Sequence, residues 1–248
     1  MVFLVIAVAI APVFIAPLIN KYTPLREGTL KQNILSLARS EGIPVTNVYE
    51  FDASKQSKRM SANVSGLFGT TRISMNDNLL NRGSDREILA VLGHEMGHYV
   101  LSHVVIGIIE NGIVILFAFA FIAWGFGFFT DMFGGVWDVR SVDDPAGLPV
   151  LIALVTFFFL ITTPIDNTIT RTMEAQADIF GVNAARQPDG FAQAALHLSE
   201  YRKLDPSPLE EFVFFDHPSG RNRIHMMMVW KKEHLKDADI IAGPVSPQ

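Results

Sequence analysis

The sequence predicts a mainly α-helical α+β protein, embedded in a membrane through about three transmembrane helices and carrying a small β-sheet in its polar part. Apolar residues make up 49% of the 248 residues and charged residues 18%, whereas soluble domains carry roughly 25% charged residues. The mean hydropathy is +0.28. Long apolar runs alternate with polar segments in which helix and strand patterns are mixed. Together these observations indicate a membrane protein with a folded polar domain.

The first apolar run covers residues 1–20 and has no charged residue. A helix rises about 1.5 Å per residue, so a run of this length just crosses a hydrocarbon core of about 30 Å. A signal peptide is the alternative, but the run lacks a basic N-terminal part and is too long for such a segment. We therefore expect a retained transmembrane helix at 1–20.

Two further apolar runs cover residues 104–129 and 147–165, and an acidic loop at 130–146 separates them. Apolar runs of this length are typical of membrane spans. Glu110 and Asn111 fall near the start of the second run. Because a carboxylate is costly in lipid, we expect Glu110 near the membrane interface or facing protein.

The distribution of basic residues predicts an orientation. Residues 21–103 contain ten Lys and Arg, residues 166–248 contain nine, and the loop at 130–146 contains one. The positive-inside rule then places the two basic segments in the cytoplasm and the acidic loop outside. We expect an integral protein of the bacterial cell membrane, rather than of the endoplasmic reticulum, with its catalytic parts on the cytoplasmic side.

The polar segments 21–103 and 166–242 are predicted to form the two parts of one domain, followed by a flexible tail at 243–248. Thr23 and Pro24 resemble a helix start and Gly42 a helix stop. Ser84 and Glu87 fit a capping box. The patterns predict helices at 25–41, 85–103, 168–185, 190–203 and 221–235, and strands at 46–52 and within 62–75, with a turn near Gly69.

Composition also excludes some functions. The chain has no cysteine, which excludes disulfides, thiolate metal sites and cysteine nucleophiles. The net charge is −5 and no long basic tract is present, so we expect no nucleic-acid partner.

The strongest chemical signal is the sequence HEMGH at 94–98, inside the helix predicted at 85–103. His94 and His98 are four residues apart, so both imidazoles lie on one helix face and can reach one zinc ion. Glu95 follows the first histidine, where it can act as the general base toward the attacking water. An ordinary helix with surface histidines is the alternative, but this helix leads into an apolar run, where such a polar cluster is costly without a partner.

A catalytic zinc site needs a third protein ligand, and Glu174 is the candidate. It belongs to a predicted helix and is followed at i+4 by Asp178. A zinc-bound histidine usually donates its other N–H to a carboxylate, which is the role that we expect for Asp178. The alternative for both residues is a solvated helix face. The sequence therefore predicts one zinc ion per chain, bound by His94, His98 and Glu174.

Three motifs together resemble a known family: HEMGH at 94–98, EAQAD at 174–178 and HPSGRNR at 217–223. They resemble the gluzincin zinc peptidases, and within them the C-terminal half of the type I CAAX prenyl proteases. The segments NKYTPLREGTLKQNI and DASKQSKRMSANVSGLFGTTRISMNDNLL are similar as well, so the resemblance extends from about residue 10 to 235. It implies a zincin-type catalytic domain that hydrolyses peptide bonds.

The resemblance also implies further roles. His217 and Arg223 would steady the developing oxyanion, and Asp178 would orient His94. Ser61, Ala62 and Asn63 would belong to the edge strand that binds substrate. Ser61 stands where the family usually has Asn. His103, five residues after the motif, is interpreted as structural or interfacial.

Three functions remain open on these grounds. The first is a prenyl protease acting near a prenylated C-terminus, the second a quality-control membrane metalloprotease, and the third a non-catalytic zinc-containing scaffold. The partners are therefore a peptide or protein substrate and the lipid bilayer. The family carries several more N-terminal spans, so the chain is expected to be a fragment, a product of a misplaced start codon or a compact relative.

Overall fold

The structure, a computed structural model, describes residues 16–66, 71–198 and 203–239. Within them the chain is mainly helical with one small mixed sheet, as the sequence predicts. The helices are α1 Ala16–Ile19, α2 Thr29–Ser40, α3 Asp77–Arg82, α4 Asp85–Val100, α5 His103–Trp137, α6 Leu148–Ala185, α7 Pro188–Leu198, α8 Pro208–Phe214 and α9 Gly220–Glu233. The strands are β1 Tyr22–Pro24, β2 Val48–Phe51, β3 Ala62–Ser65 and β4 Arg72–Asn76.

The four strands form one sheet in the order β1-β2-β4-β3. β2 and β4 are parallel, while β1 and β3 run antiparallel to their neighbours. The strands predicted at 46–52 and within 62–75 are confirmed by β2, β3 and β4. The turn expected near Gly69 lies outside the described residues.

β3 is an edge strand. Its register with β4 defines which of its backbone N–H and C=O groups do not pair within the sheet. The N–H of Asn76 donates to the carbonyl of Ser61 at 2.9 Å, and Asn63 lies opposite Ser74. Because pairing alternates along an antiparallel ladder, Ala62 and Val64 direct their backbone groups away from β4. These two residues therefore form the open edge of the sheet.

The helix start predicted at Thr23 and Pro24 is wrong. Both residues belong to β1 and pair with β2, and the helix begins only at Thr29, after Gly28. Proline is compatible with this position because β1 is an edge strand. The stop predicted at Gly42 is confirmed, since its φ of +71° is a left-handed conformation that ends a helix.

The capping box of α4 is present. The Ser84 side chain accepts from the Glu87 backbone N–H, and the Glu87 carboxylate accepts from the Ser84 N–H at 2.9 Å. The helix ends at Val100 rather than at the predicted His103, because Ser102 has a left-handed backbone with φ 58°. α5 then begins at His103.

Among the residues that the structure describes, two helices are long and apolar enough to cross a membrane: α5, and α6 together with the 3₁₀ turn that precedes it. α5 continues past the predicted span at 104–129 to Trp137, so the start of the predicted 130–146 loop is helical. α6 joins the predicted segments 147–165 and 168–185 into one helix, with Pro164 inside it. Most of the span predicted at 1–20 lies outside the described residues.

The polar domain is centred on α4, which packs against both the sheet and α6. Its apolar face joins a core with Ile34, Val48 and Ile73, all fully buried. On its other side the backbones of α4 and α6 approach closely. A Cβ added to Gly181 on α6 would lie 2.6 Å from the backbone nitrogen of His94. This close approach brings the residues of the two helices into one site.

Candidate metal centre

α4 and α6 bring together the three predicted ligands. The Nε2 atoms of His94 and His98 lie 3.0 Å apart. The two carboxylate oxygens of Glu174 face them, with Oε2 3.4 Å from His94 Nε2 and Oε1 3.4 Å from His98 Nε2. Among the described residues, these three form a group able to hold a metal ion.

The spacing of these atoms fits a zinc ion. Ligands bonded at about 2.0–2.1 Å in tetrahedral geometry lie about 3.3–3.4 Å from one another. The distances from Glu174 to the two histidines match this spacing, whereas the two Nε2 atoms lie slightly closer, at 3.0 Å. The Nδ1 of His94 is 2.7 Å from Asp178 Oδ1, so in the neutral ring Nδ1 carries the proton and Nε2 is a bare acceptor. Glu174 Oε2 is buried and accepts no hydrogen bond from the described residues. Bare acceptors that face one another in this way are satisfied by a cation.

The pKa values of His94 and Glu174 show that the cluster favours positive charge between its ligand atoms. Burial alone would lower the pKa of His94, but contacts with the carboxylates of Asp178 and Glu174 outweigh it and raise this pKa to about 9. Burial would raise the pKa of Glu174, yet the nearby His94 and His98 hold it far below its usual range. The site therefore stabilises a carboxylate and a cation together.

Glu95 shares the cavity that contains this cluster. The cavity has a volume of about 320 Å³, and His94, Glu95 and Glu174 all line it. Burial raises the pKa of Glu95, with the neighbouring His94 and His98 opposing the shift. A carboxylate with a raised pKa beside a metal cluster is suited to accept a proton from water.

His217 reaches the cluster from the loop between α8 and α9. Its Nε2 lies 3.3 Å from Glu174 Oε2, and its Nδ1 lies 2.8 Å from Asp216 Oδ1. Arg171, one turn before Glu174 on α6, holds α8 and the start of this loop by donating to the carbonyls of Glu211 and Phe215. The structure therefore places His217 at the wall of the cavity.

Arg223 is placed differently from the expectation. Its Nε donates to Asp178 Oδ2 at 2.7 Å and its Nη2 to Asp178 Oδ1 at 2.5 Å. The guanidinium is buried and lies over the ring of Phe191, 5.1 Å from its centroid. Although Arg223 lines the cavity, its charge is directed at Asp178. The geometry therefore indicates that it positions Asp178, and through it His94.

The three expected substrate-binding residues do not share one environment. Ser61 and Ala62 line the cavity. Asn63 turns its backbone toward β4, and its side-chain Oδ1 is buried without a partner among the described residues. The cavity is thus bordered by the first part of β3, next to the open edge at Ala62 and Val64.

Sequence reasoning missed the contact that His103 makes with the cluster. His103 Nδ1 lies 2.9 Å from His98 Nδ1, and His103 Nε2 lies 3.2 Å from Gln176 Oε1. A residue five positions after His98 would lie on another face of a continuous helix, so spacing gave no signal. Arg223 was singled out only through the resemblance, and its pairing with Asp178 has no signature in the sequence.

The chain is similar in sequence to curated proteins named as proteases. The chain is similar to an uncharacterized metalloprotease, YhfN, of Bacillus subtilis, with 33% identity over 217 residues, 87% of this chain and 51% of the relative. It is similar to CAAX prenyl protease 1 of Saccharomyces cerevisiae, with 32% identity over 89% of this chain and 52% of the relative. The chain thus spans about half the length of these curated relatives.

A solved structure shows the same fold. The crystal structure of S. mikatae Ste24p superposes with a TM-score of 0.77 and 28% sequence identity, covering 91% of this chain and 56% of that one. The model of the family described as Peptidase family M48 matches residues 24–231, which include every residue of the cluster. The chain therefore belongs to peptidase family M48.

Proposed function

We propose that the chain is a membrane-embedded zinc endopeptidase that holds one zinc ion through His94, His98 and Glu174. The observation that carries the proposal is the convergence of the three ligand groups at 3.0–3.4 Å, with Glu95 in the same cavity. A purely structural zinc site is usually closed by four protein ligands and needs no neighbouring base.

Each residue of the site has a separate role in the proposed hydrolysis of a peptide bond. When bound, zinc supplies a Lewis acid that makes water nucleophilic near neutral pH. Glu95 accepts the proton of the attacking water and passes it to the leaving amine. His217, whose Nε2 faces the cavity, supports the charge that develops on the carbonyl oxygen. Asp178 holds the proton on His94 Nδ1, and Arg223 holds Asp178.

The substrate is proposed to bind along β3. An extended peptide can add to a free sheet edge through backbone hydrogen bonds, and Ala62 and Val64 offer such an edge beside the cavity. Ser61 and Ala62 then contact the substrate directly. Asn63 supports the strand from the β4 side, which revises the direct contact first expected for it.

The preferred substrate class is a protein with a prenylated C-terminus, and this rests on the relatives named CAAX prenyl protease. A quality-control protease that cuts damaged membrane proteins is the second candidate. The third is a scaffold that keeps zinc only for folding. The raised pKa of Glu95 and its place at the cluster favour an enzyme over the scaffold.

We also propose three membrane spans, at 1–20 and within α5 and α6. The domain parts 21–103 and 166–242 then lie on the cytoplasmic side, the loop within 130–146 outside, and residues 243–248 form the tail. The distribution of Lys and Arg supports this orientation. A bacterial cell membrane is the proposed location.

One experiment tests the function. The full chain and its Glu95→Gln variant are purified in detergent, their zinc content is measured, and both are given a farnesylated CAAX peptide and unfolded casein. We expect one zinc in each protein and cleavage only by the wild type, with a loss of at least about 100-fold in the variant. Cleavage of casein alone would favour quality control. Equal zinc with no cleavage by the wild type would support the scaffold.

A further inference from the structure

The Nδ1 atom of His98 contacts the buried side chain of His103. His103 is 5% exposed, and its Nδ1 lies 2.9 Å from the Nδ1 of His98. The rings meet edge to face, with centroids 5.0 Å apart. His98 Nε2 faces His94 and Glu174, so His103 contacts the side of the ring that is turned away from the cluster.

The hydrogen-bond chain fixes where the protons lie. His103 Nε2 faces Gln176 Oε1 at 3.2 Å. An amide oxygen only accepts, so His103 Nε2 carries the proton of the neutral ring and its Nδ1 is bare. The proton between the two Nδ1 atoms then belongs to His98. This leaves His98 Nε2 bare and directed at the other ligands, which is the form that binds a metal.

The backbone places His103 in this contact. If α4 continued through residue 103, five residues at 100° each would turn the side chain about 140° away from His98. Ser102 instead adopts a left-handed conformation, with φ 58° and ψ 33°. Such a conformation costs about 1 kcal/mol or more in a residue other than glycine. α5 therefore begins with His103 turned back toward the cluster.

We propose that His103 and Gln176 are positioning residues that hold His98 in its metal-binding tautomer, as Asp178 does for His94. This inference rests on the proposed zinc site. A metal-bound histidine normally donates its other N–H to a carboxylate, a carbonyl or water. In this chain His94 donates to the carboxylate of Asp178. His98 instead donates to the neutral imidazole of His103, which is oriented by the side-chain amide of Gln176.

The test measures metal binding rather than peptide cleavage. Zinc affinity is measured by competition with a chelating dye, and the coordination of Co²⁺ by its visible absorption, in the full chain in detergent. His103→Leu removes the acceptor, and we expect about a 10–100-fold loss of zinc affinity. His225→Leu is the matched control, because His225 is exposed and lies outside the cluster; it should bind zinc as the wild type does.

A pair of variants at Gln176 separates positioning from packing. Gln176 is exposed, so both replacements should leave the fold intact. Gln176→Glu keeps an acceptor for His103 Nε2–H and should match or exceed the zinc affinity of the wild type, whereas Gln176→Leu should lower it and alter the Co²⁺ spectrum. Unchanged zinc affinity in His103→Leu, or equal losses in the two Gln176 variants, would overturn the inference. A wild type that binds no zinc would show separately that the proposed function itself fails.

Discussion

Asp178 Oδ1 accepts the Nδ1–H of His94 over 2.7 Å, and the same carboxylate is held at both oxygens by Arg223. Asp178 is fully buried and Arg223 is 8% exposed. The tautomer of the first predicted zinc ligand therefore depends on an ion pair that is shielded from water. We therefore expect changes to this ion pair to affect both the stability of the fold and the affinity of the proposed zinc site.

Replacing Asp178 with Asn should weaken zinc binding about 10–100-fold. It should also lower the free energy of unfolding by about 3–5 kcal/mol, because it leaves the charge of Arg223 buried and unpaired. The double variant Asp178→Asn/Arg223→Met removes that charge and should recover part of the stability without recovering zinc affinity. Thermal unfolding in detergent and dye competition measure the two effects. Wild-type zinc affinity in Asp178→Asn would contradict the assigned role.

Gly181→Ala should disturb the proposed zinc site by pushing the backbones of α4 and α6 apart. The added Cβ would lie 2.6 Å from the nitrogen of His94 and 2.9 Å from the carbonyl carbon of Gly93, so α4 and α6 must separate. We expect a loss of about 1–3 kcal/mol in the free energy of unfolding and weaker zinc binding, since Glu174 moves with α6.

The matched control for Gly181 is Gly107→Ala. A Cβ at Gly107 meets nothing within 4 Å, and alanine is preferred to glycine in a helix by about 0.5–1 kcal/mol. This variant should be as stable as the wild type or more so, with unchanged zinc affinity. If Gly181→Ala behaved like Gly107→Ala in both measurements, the close approach of the two helices would not control the site.

Val64→Pro tests the open edge of β3. Proline removes a backbone N–H that is directed away from β4, so the sheet keeps its internal hydrogen bonds while a bound peptide loses one. We expect a higher KM for the peptide substrate, with kcat and zinc content little changed. Val64→Ala controls for the packing of the side chain against the core. Equal KM values for the proline and alanine variants would argue against peptide binding along this edge.

The pH dependence of stability should reveal the contact between α7 and α9. Lys231 Nζ lies 2.5 Å from Asp189 Oδ2 and 2.9 Å from Asp239 Oδ2. Lys231 lowers the pKa of Asp189 below 3.8, while Asp189 and Asp239 raise the pKa of Lys231 above 10.5. The stabilisation is therefore fully present between about pH 4 and pH 10. It is lost as the pH falls through the folded pKa of Asp189 or rises through that of Lys231.

Lys231→Met should accordingly lower the free energy of unfolding by about 0.2–1 kcal/mol at pH 7, as expected of a partly exposed pair. The difference from the wild type should shrink at pH 3. Thermal unfolding at the two pH values provides the measurement, and Lys232→Met is the control because Lys232 is exposed. A difference that is equal at both pH values would exclude the ion pair as its cause.

The parts of the site that follow helix periodicity could be predicted from the sequence. His94 and His98 share a face of α4, and Glu174 and Asp178 share a face of α6, each through an i, i+4 spacing. The cap of α4 could be predicted as well, because Ser84 and Glu87 act within one turn. Each of these features depends on neighbours in the sequence, so local patterns were sufficient.

The features that could not be predicted depend on backbone turns and on contacts between distant segments. The position of His103 follows from the left-handed conformation of Ser102, which nothing in the residue type requires. The pairing of Arg223 with Asp178 joins residues 45 positions apart. β1 was missed because a proline near a helical pattern resembles a helix start, while the sheet edge also accepts it.

Because α6 is one continuous helix, it fixes the distance between its apolar part and Glu174. Ile165 ends the predicted span and Glu174 follows nine positions later in the same helix, which corresponds to about 13 Å along the axis. If α6 crosses the bilayer as proposed, this helix fixes the distance between the lipid surface and Glu174. The length of the helix between these two residues is therefore fixed. One residue inserted between them would rotate Glu174 by about 100° away from His94 and His98.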